Sequence, residues 1–410
     1  MIRRILSTQG LPILDQALSS GTNFLAVFVL AGSLSSGEFG IFAMAFTVLT
    51  LFVGVTRSFF GLPLALAAQS SRRELDDLYR ASVSALCWIA VPIIAVVFGV
   101  GAISAIGADE ASMELGLWAA LAVGISTPLV MIQDISRYYA ISTNQPGAAV
   151  ISDGIRVALI LALFGLRDLL QPTTVLIVWT ATIVLALAYF LVRFAPRPAP
   201  RAGLRLLRPK RGLRESISIT VILSTGVTLI MGFLMLPFLG AAAVGSIRGA
   251  GTLFGPVNTL MAMLDFSVLS QLSRRERARD GKAVMLIALL VCAISGAWAV
   301  VLLLLPQGVG EFILGDTWEG ARSILPITSI EYVLLCLAAC VALIPKLRDR
   351  ARVLLLNRVW ATITILATTV VALLLGGGVE WMAAALLLGA IVSAVGLLWD
   401  SRAELGRGSR

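Results

Sequence analysis

The chain has 410 residues, 58% of them hydrophobic and only 13% charged, with a mean hydropathy of +0.95. Soluble domains carry about 25% charged residues, so this composition points to lipid as the solvent. There only helices or a closed barrel satisfy the backbone, and long continuous apolar runs such as Val284–Leu305 and Val353–Leu375 exclude the short alternating segments of a barrel. The net charge of +9 sits mostly in turns, where topology and anionic headgroups account for it, so nucleic acid is not implied as a partner.

In chain order, hydropathy predicts about twelve transmembrane helices: 13–34, 40–66, 81–106, 114–139, 148–166, 172–193, 216–239, 244–272, 283–305, 320–344, 353–375 and 379–399. Arg3 and Arg4 precede an apolar run too long for a signal peptide and interrupted by Asp15, Gln16 and Asn23, so it reads as a retained first helix. Basic residues collect on alternate turns: Arg72, Arg73 and Arg80; Arg137; the stretch Arg193–Arg214; Arg274–Lys282; Lys346–Arg352; and the C-terminal tail. With the N-terminal pair these hold 26 of the 32 Lys and Arg. Arg167 is the one basic residue in an opposite turn, where Glu38, Asp109, Glu110, Asp168, Glu311, Asp316 and Glu380 gather. The positive-inside rule therefore predicts both termini in the cytoplasm.

Pro196, Pro198 and Pro200 mark a basic linker that divides the ladder. The expected organisation is an N-terminal six-helix bundle over 1–193, a Pro-rich cytoplasmic linker over 194–215 expected to be non-helical, a C-terminal six-helix bundle over 216–399, and a tail over 400–410. The halves share a weak echo. Ser71-Arg72-Arg73-Glu74 and Ser273-Arg274-Arg275-Glu276 read as the ends of the second helix of each half, with Gly40 and Gly245 near the starts of those helices and Pro63 and Pro256 inside them. That pattern suits a parallel duplication of the kind found in transporters.

Charges within the spans are the candidate functional residues, because a charge at the bilayer centre costs about 2.5–3.5 kcal/mol on insertion scales and must face a cavity or a partner. The arginines are Arg57, Arg156, Arg248, Arg358 and Arg322; the last, like Arg137, lies near a span end and can reach the headgroups. The acids are Asp15, Asp134, Asp153, Asp265 and Glu331. Asp134/Arg137 and Asp153/Arg156 are spaced i,i+3, so each pair could neutralise itself. Arg57, Arg156, Arg248 and Arg358 are the expected anion-binding set, since guanidinium is permanently charged and grips phosphate through a planar fork. Asp265, Glu331, Asp134 and Asp153 are the candidates for ion coupling. Cys87, Cys292, Cys336 and Cys340 fall in apolar spans and read as small buried hydrophobes. With no His, no nucleophile–base constellation and no ligand cluster, neither a catalytic centre, a metal nor a cofactor is expected.

Several stretches resemble bacterial polysaccharide and oligosaccharide-lipid flippases of the multidrug/oligosaccharidyl-lipid/polysaccharide exporter superfamily. They are Asp15–Phe24, Ser36–Phe42, Gln133–Tyr139 continuing through Ala149 and Asp153, and Phe254–Asn258. The resemblance implies a MATE-like, V-shaped pair of six-helix bundles in the bacterial inner membrane. It also implies alternating access for a polyprenyl-diphosphate-linked oligosaccharide, with membrane lipids and glycan-assembly proteins as partners. The alternatives are a proton- or sodium-coupled drug or cation antiporter of the same fold, and a non-transporting scaffold of a glycan synthesis complex.

Overall fold

The computed structural model describes residues 18–67, 71–106, 110–208, 213–264, 281–348 and 350–406. Asp15, Asp265 and the Ser273–Glu276 motif lie outside them. Among the described residues the chain is all-α, with no strand. Among the described residues ten helices are long and apolar enough to cross a membrane, beside a shorter apolar helix α1 (Leu18–Ala31), and the protein is a multi-pass membrane protein.

α2 (Ser36–Thr56) opens on a complete capping box. Ser35 Oγ accepts from the Glu38 backbone N–H while Glu38 accepts from the Ser35 N–H at 2.7 Å, so two orphan donors of the first turn are satisfied. The helix does not continue regularly. Residues Arg57–Gly61 form a π-turn before the α-helix resumes at Leu62–Leu66. Pro63 supplies a reason: it has no N–H and its ring crowds the carbonyl four residues back, and a wider turn relieves both problems.

α3 (Arg72–Ser104) begins well before the apolar run, with Ser71 as its N-cap accepting from the Glu74 N–H at 3.3 Å. The Ser-Arg-Arg-Glu motif of the first half is thus the start of this helix rather than the end of the one before it. α4 (Glu110–Ser142) and α5 (Pro146–Leu166) follow, then α6 (Pro172–Phe194). Both α5 and α6 start with Pro at their first helical position, where a missing N–H costs nothing.

The linker is not wholly irregular. Residues 195–199 form no regular element, but Pro200 starts the short helix α7 (Pro200–Leu206), because proline blocks a helix interior and suits a helix beginning. Gly203 lets α7 lie backbone to backbone on α3: a Cβ there would sit 2.7 Å from Ala85 N.

α8 (Leu213–Leu253) is bent at Gly240, whose φ of 75° only glycine adopts without strain. That bend separates the two spans expected at 216–239 and 244–272. After α8 come α9 (Gly255–Met263), α10 (Gly281–Leu303), α11 (Gln307–Leu314), α12 (Trp318–Val341), α13 (Leu343–Leu347), α14 (Ala351–Leu374) and α15 (Val379–Gly406).

By internal contact the chain forms two units. The first comprises residues 1–229 with 240–245, the second 230–239 with 246–410. In the first, α4 is central, touching α2, α3, α5 and α6. Its aromatic floor includes Tyr79 stacked on Tyr139 at 4.2 Å, flanked by Phe190 and Phe194, with Tyr79 Oη and Ser136 Oγ bonded at 2.9 Å. In the second, α12 and α15 pack along each other, α15 lies against α14, and α10 lies against α12. Phe254 stacks on Tyr332 at 4.3 Å, and the Tyr332 hydroxyl donates to the Gly251 carbonyl at 3.1 Å.

Gly40 and Gly245, similarly placed at the starts of the second and eighth expected spans, face each other. A Cβ on Gly40 would overlap the Ala241 carbonyl, and one on Gly245 would lie 3.1 Å from the Ser36 carbonyl oxygen and 3.3 Å from Gly40 N. Small residues let helix backbones approach in lipid, where packing rather than hydrophobicity drives association. Gly40→Leu is therefore expected to lower the thermal unfolding midpoint in detergent by several degrees, whereas Gly99→Leu, at a site with open space around it, leaves the midpoint near wild type; equal midpoints for the two variants would refute this contact.

Candidate functional site

The first unit holds a polar cavity of about 150 Å³ between α1, α2, α4 and α5. Three arginines and two aspartates line it, with Gln133, Ser19 and Asn23. At about 30 Å³ per water it has room for roughly five waters or one small anionic group.

The π-turn places Arg57 at the cavity wall. Its Nε donates to Asp134 Oδ2 at 2.8 Å and its Nη2 to Oδ1 at 2.9 Å, a bidentate fork joining α2 to α4 across 77 positions of sequence. Gly61, in the same turn, lies against Tyr138; a Cβ there would sit 3.1 Å from the ring. One turn along α4 from Asp134, Arg137 donates through Nη1 to Asp134 Oδ1 at 3.1 Å and to Ser19 Oγ on α1 at 2.7 Å. Its Nε lies 3.1 Å from Asp153 Oδ2 on α5. Gln133 Nε2 donates to the other Asp153 oxygen at 3.2 Å, and Ser152 beside it donates to the Ala186 carbonyl of α6 at 3.0 Å. The network thus links α1, α2, α4, α5 and α6.

Burial is deep. The Asp134, Asp153 and Arg137 side chains are 4%, 3% and 8% exposed, while Arg57 keeps 38% of its side chain accessible. Arg156 differs from the other two arginines. It is 6% exposed and lines the cavity, but its Nε has no hydrogen-bond partner, and it makes no ion pair or hydrogen bond to any described residue. The i,i+3 spacing suggested an Asp153–Arg156 pair, yet Arg137 takes the Asp153 carboxylate instead. The Asp134–Arg137 pair forms as its spacing suggests. Among the described residues, three guanidiniums face two carboxylates.

The other sequence candidates fall elsewhere. Arg248, half-buried in α8, and Arg358, half-buried in α14, belong to the second unit and do not line this cavity. Glu331 on α12 is 9% exposed, with no ion pair or hydrogen bond to any described residue. Arg322 is exposed, with Nη1 3.4 Å from Gln307 Oε1. Arg167, an outer-turn charge in the sequence, is buried: Nη1 donates to the Phe28 carbonyl at 3.2 Å, and the guanidinium lies over Phe164 in a gap that only Gly32 leaves open. Sequence reasoning missed Arg137 as a cavity residue by reading it as a topological charge, and missed Gln133, Ser19 and Asn23. The run Gln133-Asp134 with Arg137 on one helix face carried the signal. No group of metal-ligating residues occurs among the described residues.

No protein-family model matches the chain, and no curated protein matches it in sequence. Its fold does match solved structures. A multidrug resistance MATE family transporter of the MOP superfamily, in its inward-facing conformation, aligns with a TM-score of 0.71 and 14% identity over 96% of each chain. The lipid II flippase MurJ, in an inward closed conformation, aligns with a TM-score of 0.70 and 13% identity over 97% of this chain and 90% of that one. A MOP superfamily transporter from Pyrococcus furiosus, whose reverse pocket polarity suggests a different function, aligns with a TM-score of 0.56 and 13% identity over 99% and 96%. The fold is therefore MATE-like.

Removing one partner of a buried ion pair costs about 3–5 kcal/mol, because a charge is stranded. Asp134→Ala strands Arg57 and removes one of the two carboxylates that hold Arg137, whereas Arg57→Ala leaves Asp134 still paired with Arg137. The aspartate variant is expected to lose more thermal stability in detergent than the arginine variant, and a double-mutant cycle should return a coupling of about 1 kcal/mol or more. Additive losses would mean that the fork contributes nothing.

Proposed function

We propose that the protein is a membrane transporter that moves a polyprenyl-diphosphate-linked oligosaccharide across the bacterial inner membrane by alternating access, with both termini cytoplasmic. The observation that carries this reading is the cavity of the first unit, where, among the described residues, Arg57, Arg137 and Arg156 outnumber Asp134 and Asp153 and Arg156 has no ion pair or hydrogen bond. A diphosphate needs cationic hosts with convergent N–H donors, and arginine provides them without losing its charge. The cavity is too small for sugars, so only the charged group is held there. Arg57 contributes its accessible edge, while Asp134 and Asp153 hold Arg57 and Arg137 in place. The fold likeness to a lipid II flippase supports a lipid-linked cargo. The remaining arginine candidates, Arg248 and Arg358, are a second anion-binding set in this reading.

One observation favours the coupled drug or cation antiporter instead: Glu331 is a buried carboxylate with no ion pair among the described residues. The two readings separate in reconstituted proteoliposomes. Each charge-assisted hydrogen bond lost is worth about 1.5–3 kcal/mol, so Arg156→Gln should slow flipping of a fluorescent polyprenyl-diphosphate sugar by about tenfold or more, with Arg156→Lys intermediate and Glu331→Gln less affected. If Arg156→Gln flipped the lipid at the wild-type rate while Glu331→Gln abolished export of an organic cation, the antiporter would replace the flippase. In cells, deletion of the gene should leave lipid-linked oligosaccharide on the cytoplasmic leaflet, and a lack of any such accumulation would leave the scaffold reading in its place.

A further inference from the structure

A second hollow, of about 470 Å³, lies against α3 in the first unit. Val83, Ser84, Cys87 and Trp88 form one wall, spaced so that they share a face of α3. Leu191 at the end of α6 and the linker residues Pro196, Arg197, Pro198 and Pro200 form the other, and Arg80 stands with them one turn towards the basic end of α3. The hollow is built rather than incidental. Ala195, at φ 40°, turns the chain sharply after α6, with its N–H bonded to the Leu191 carbonyl at 2.9 Å. The Ala199 N–H then donates to Ser84 Oγ at 2.8 Å, and α7 is seated on α3 through Gly203.

The chemistry of the two ends differs. At one, Arg197 is exposed with no ion pair or hydrogen bond to any described residue, and Arg80 has only Asp77, 3.9 Å away and 66% exposed. An exposed pair at that distance leaves the guanidinium free to take another partner. Towards the other end, the wall is apolar and open to the surroundings: Trp88 is 53% exposed, and one turn beyond it on α3 Val91 is 74% exposed. The three prolines offer no N–H to the hollow. The apolar run of α3 starts at Ala81 and that of α6 ends at Arg193, so the hollow sits where hydrocarbon gives way to headgroups.

We propose that this groove is a binding site for an anionic phospholipid of the leaflet that faces the basic turns. Arg80 and Arg197 take the phosphate from opposite sides, Trp88 lies at the interface, and one acyl chain follows Trp88 and Val91. Charge complementarity selects an anionic over a zwitterionic lipid, and the apolar floor selects a lipid over a free phosphate ion. The site is independent of the arginine cavity and of the cargo proposed above.

Cys87 makes the groove directly readable, because it is the exposed one of the four thiols. The full chain is placed in bicelles of phosphatidylcholine with increasing phosphatidylglycerol, and maleimide labelling of the Cys87 peptide is followed by mass spectrometry. Two arginines at about 1 kcal/mol each should make phosphatidylglycerol slow that labelling by about thirtyfold. The doubly substituted Arg80→Gln, Arg197→Gln variant should lose the lipid dependence, while the Arg80→Lys, Arg197→Lys variant should keep most of it; inorganic phosphate in phosphatidylcholine should not slow labelling. Arg197 is exposed and Arg80 only half-buried, with no close ion pair, so the unfolding midpoints in phosphatidylcholine should match wild type. Equal labelling in both lipids, a dependence that survives in the glutamine variant, or protection by phosphate alone would each overturn the proposal.

Discussion

The first unit depends on one carboxylate. Asp134, almost fully buried, is held by a bidentate fork from Arg57 and a second bond from Arg137. In a low-dielectric interior none of these charges is tolerable alone, so each helix that carries one is constrained by the others. α2, α4 and α1 meet at Asp134 and the guanidinium beside it, and Arg137 extends the linkage through Asp153 to α5. The cavity is the space left when helices are set by charge rather than by close apolar packing. Arg156 lines that space with no direct partner among the described residues, which makes it the position where an incoming anion would change the energetics most.

The helical ladder was legible because bilayer thickness sets the length of an apolar run, and loop charge marks its ends. The proline-rich linker over 194–215 was read as the divide between the halves, whereas by internal contact residues up to Leu229 group with the first unit. The bend at Gly240 coincides with the break drawn between two expected spans, although hydropathy alone gives no reason for glycine to supply it. The short helix α7 was missed because three prolines were read as uniformly disruptive, whereas the last of them starts a helix.

The cavity was only half legible. Depth in the span singled out Arg57, Arg156, Asp134 and Asp153, and all four line one hollow. Their pairing was hidden, because hydropathy does not fix the rotation of a helix about its axis. Arg57 finds its partner 77 residues away, and Arg137 takes the aspartate that spacing had offered to Arg156. Position near a span end made Arg137 and Arg167 look topological. Arg167 is in fact enclosed by Phe28, Gly32 and Phe164, an arrangement visible only once α1 and α5 lie side by side.

The π-turn at Arg57–Gly61 has a reach beyond the side chain it aims. Such a turn is an α-helix holding one residue too many, so the faces of α2 before and after it are offset by about 100°. A loss or gain of a single codon there would convert one register into the other without breaking the helix. Diversification of this chain therefore has a cheap step open to it: one in-frame triplet could swing the guanidinium away from Asp134 and hand a different side chain to the hollow.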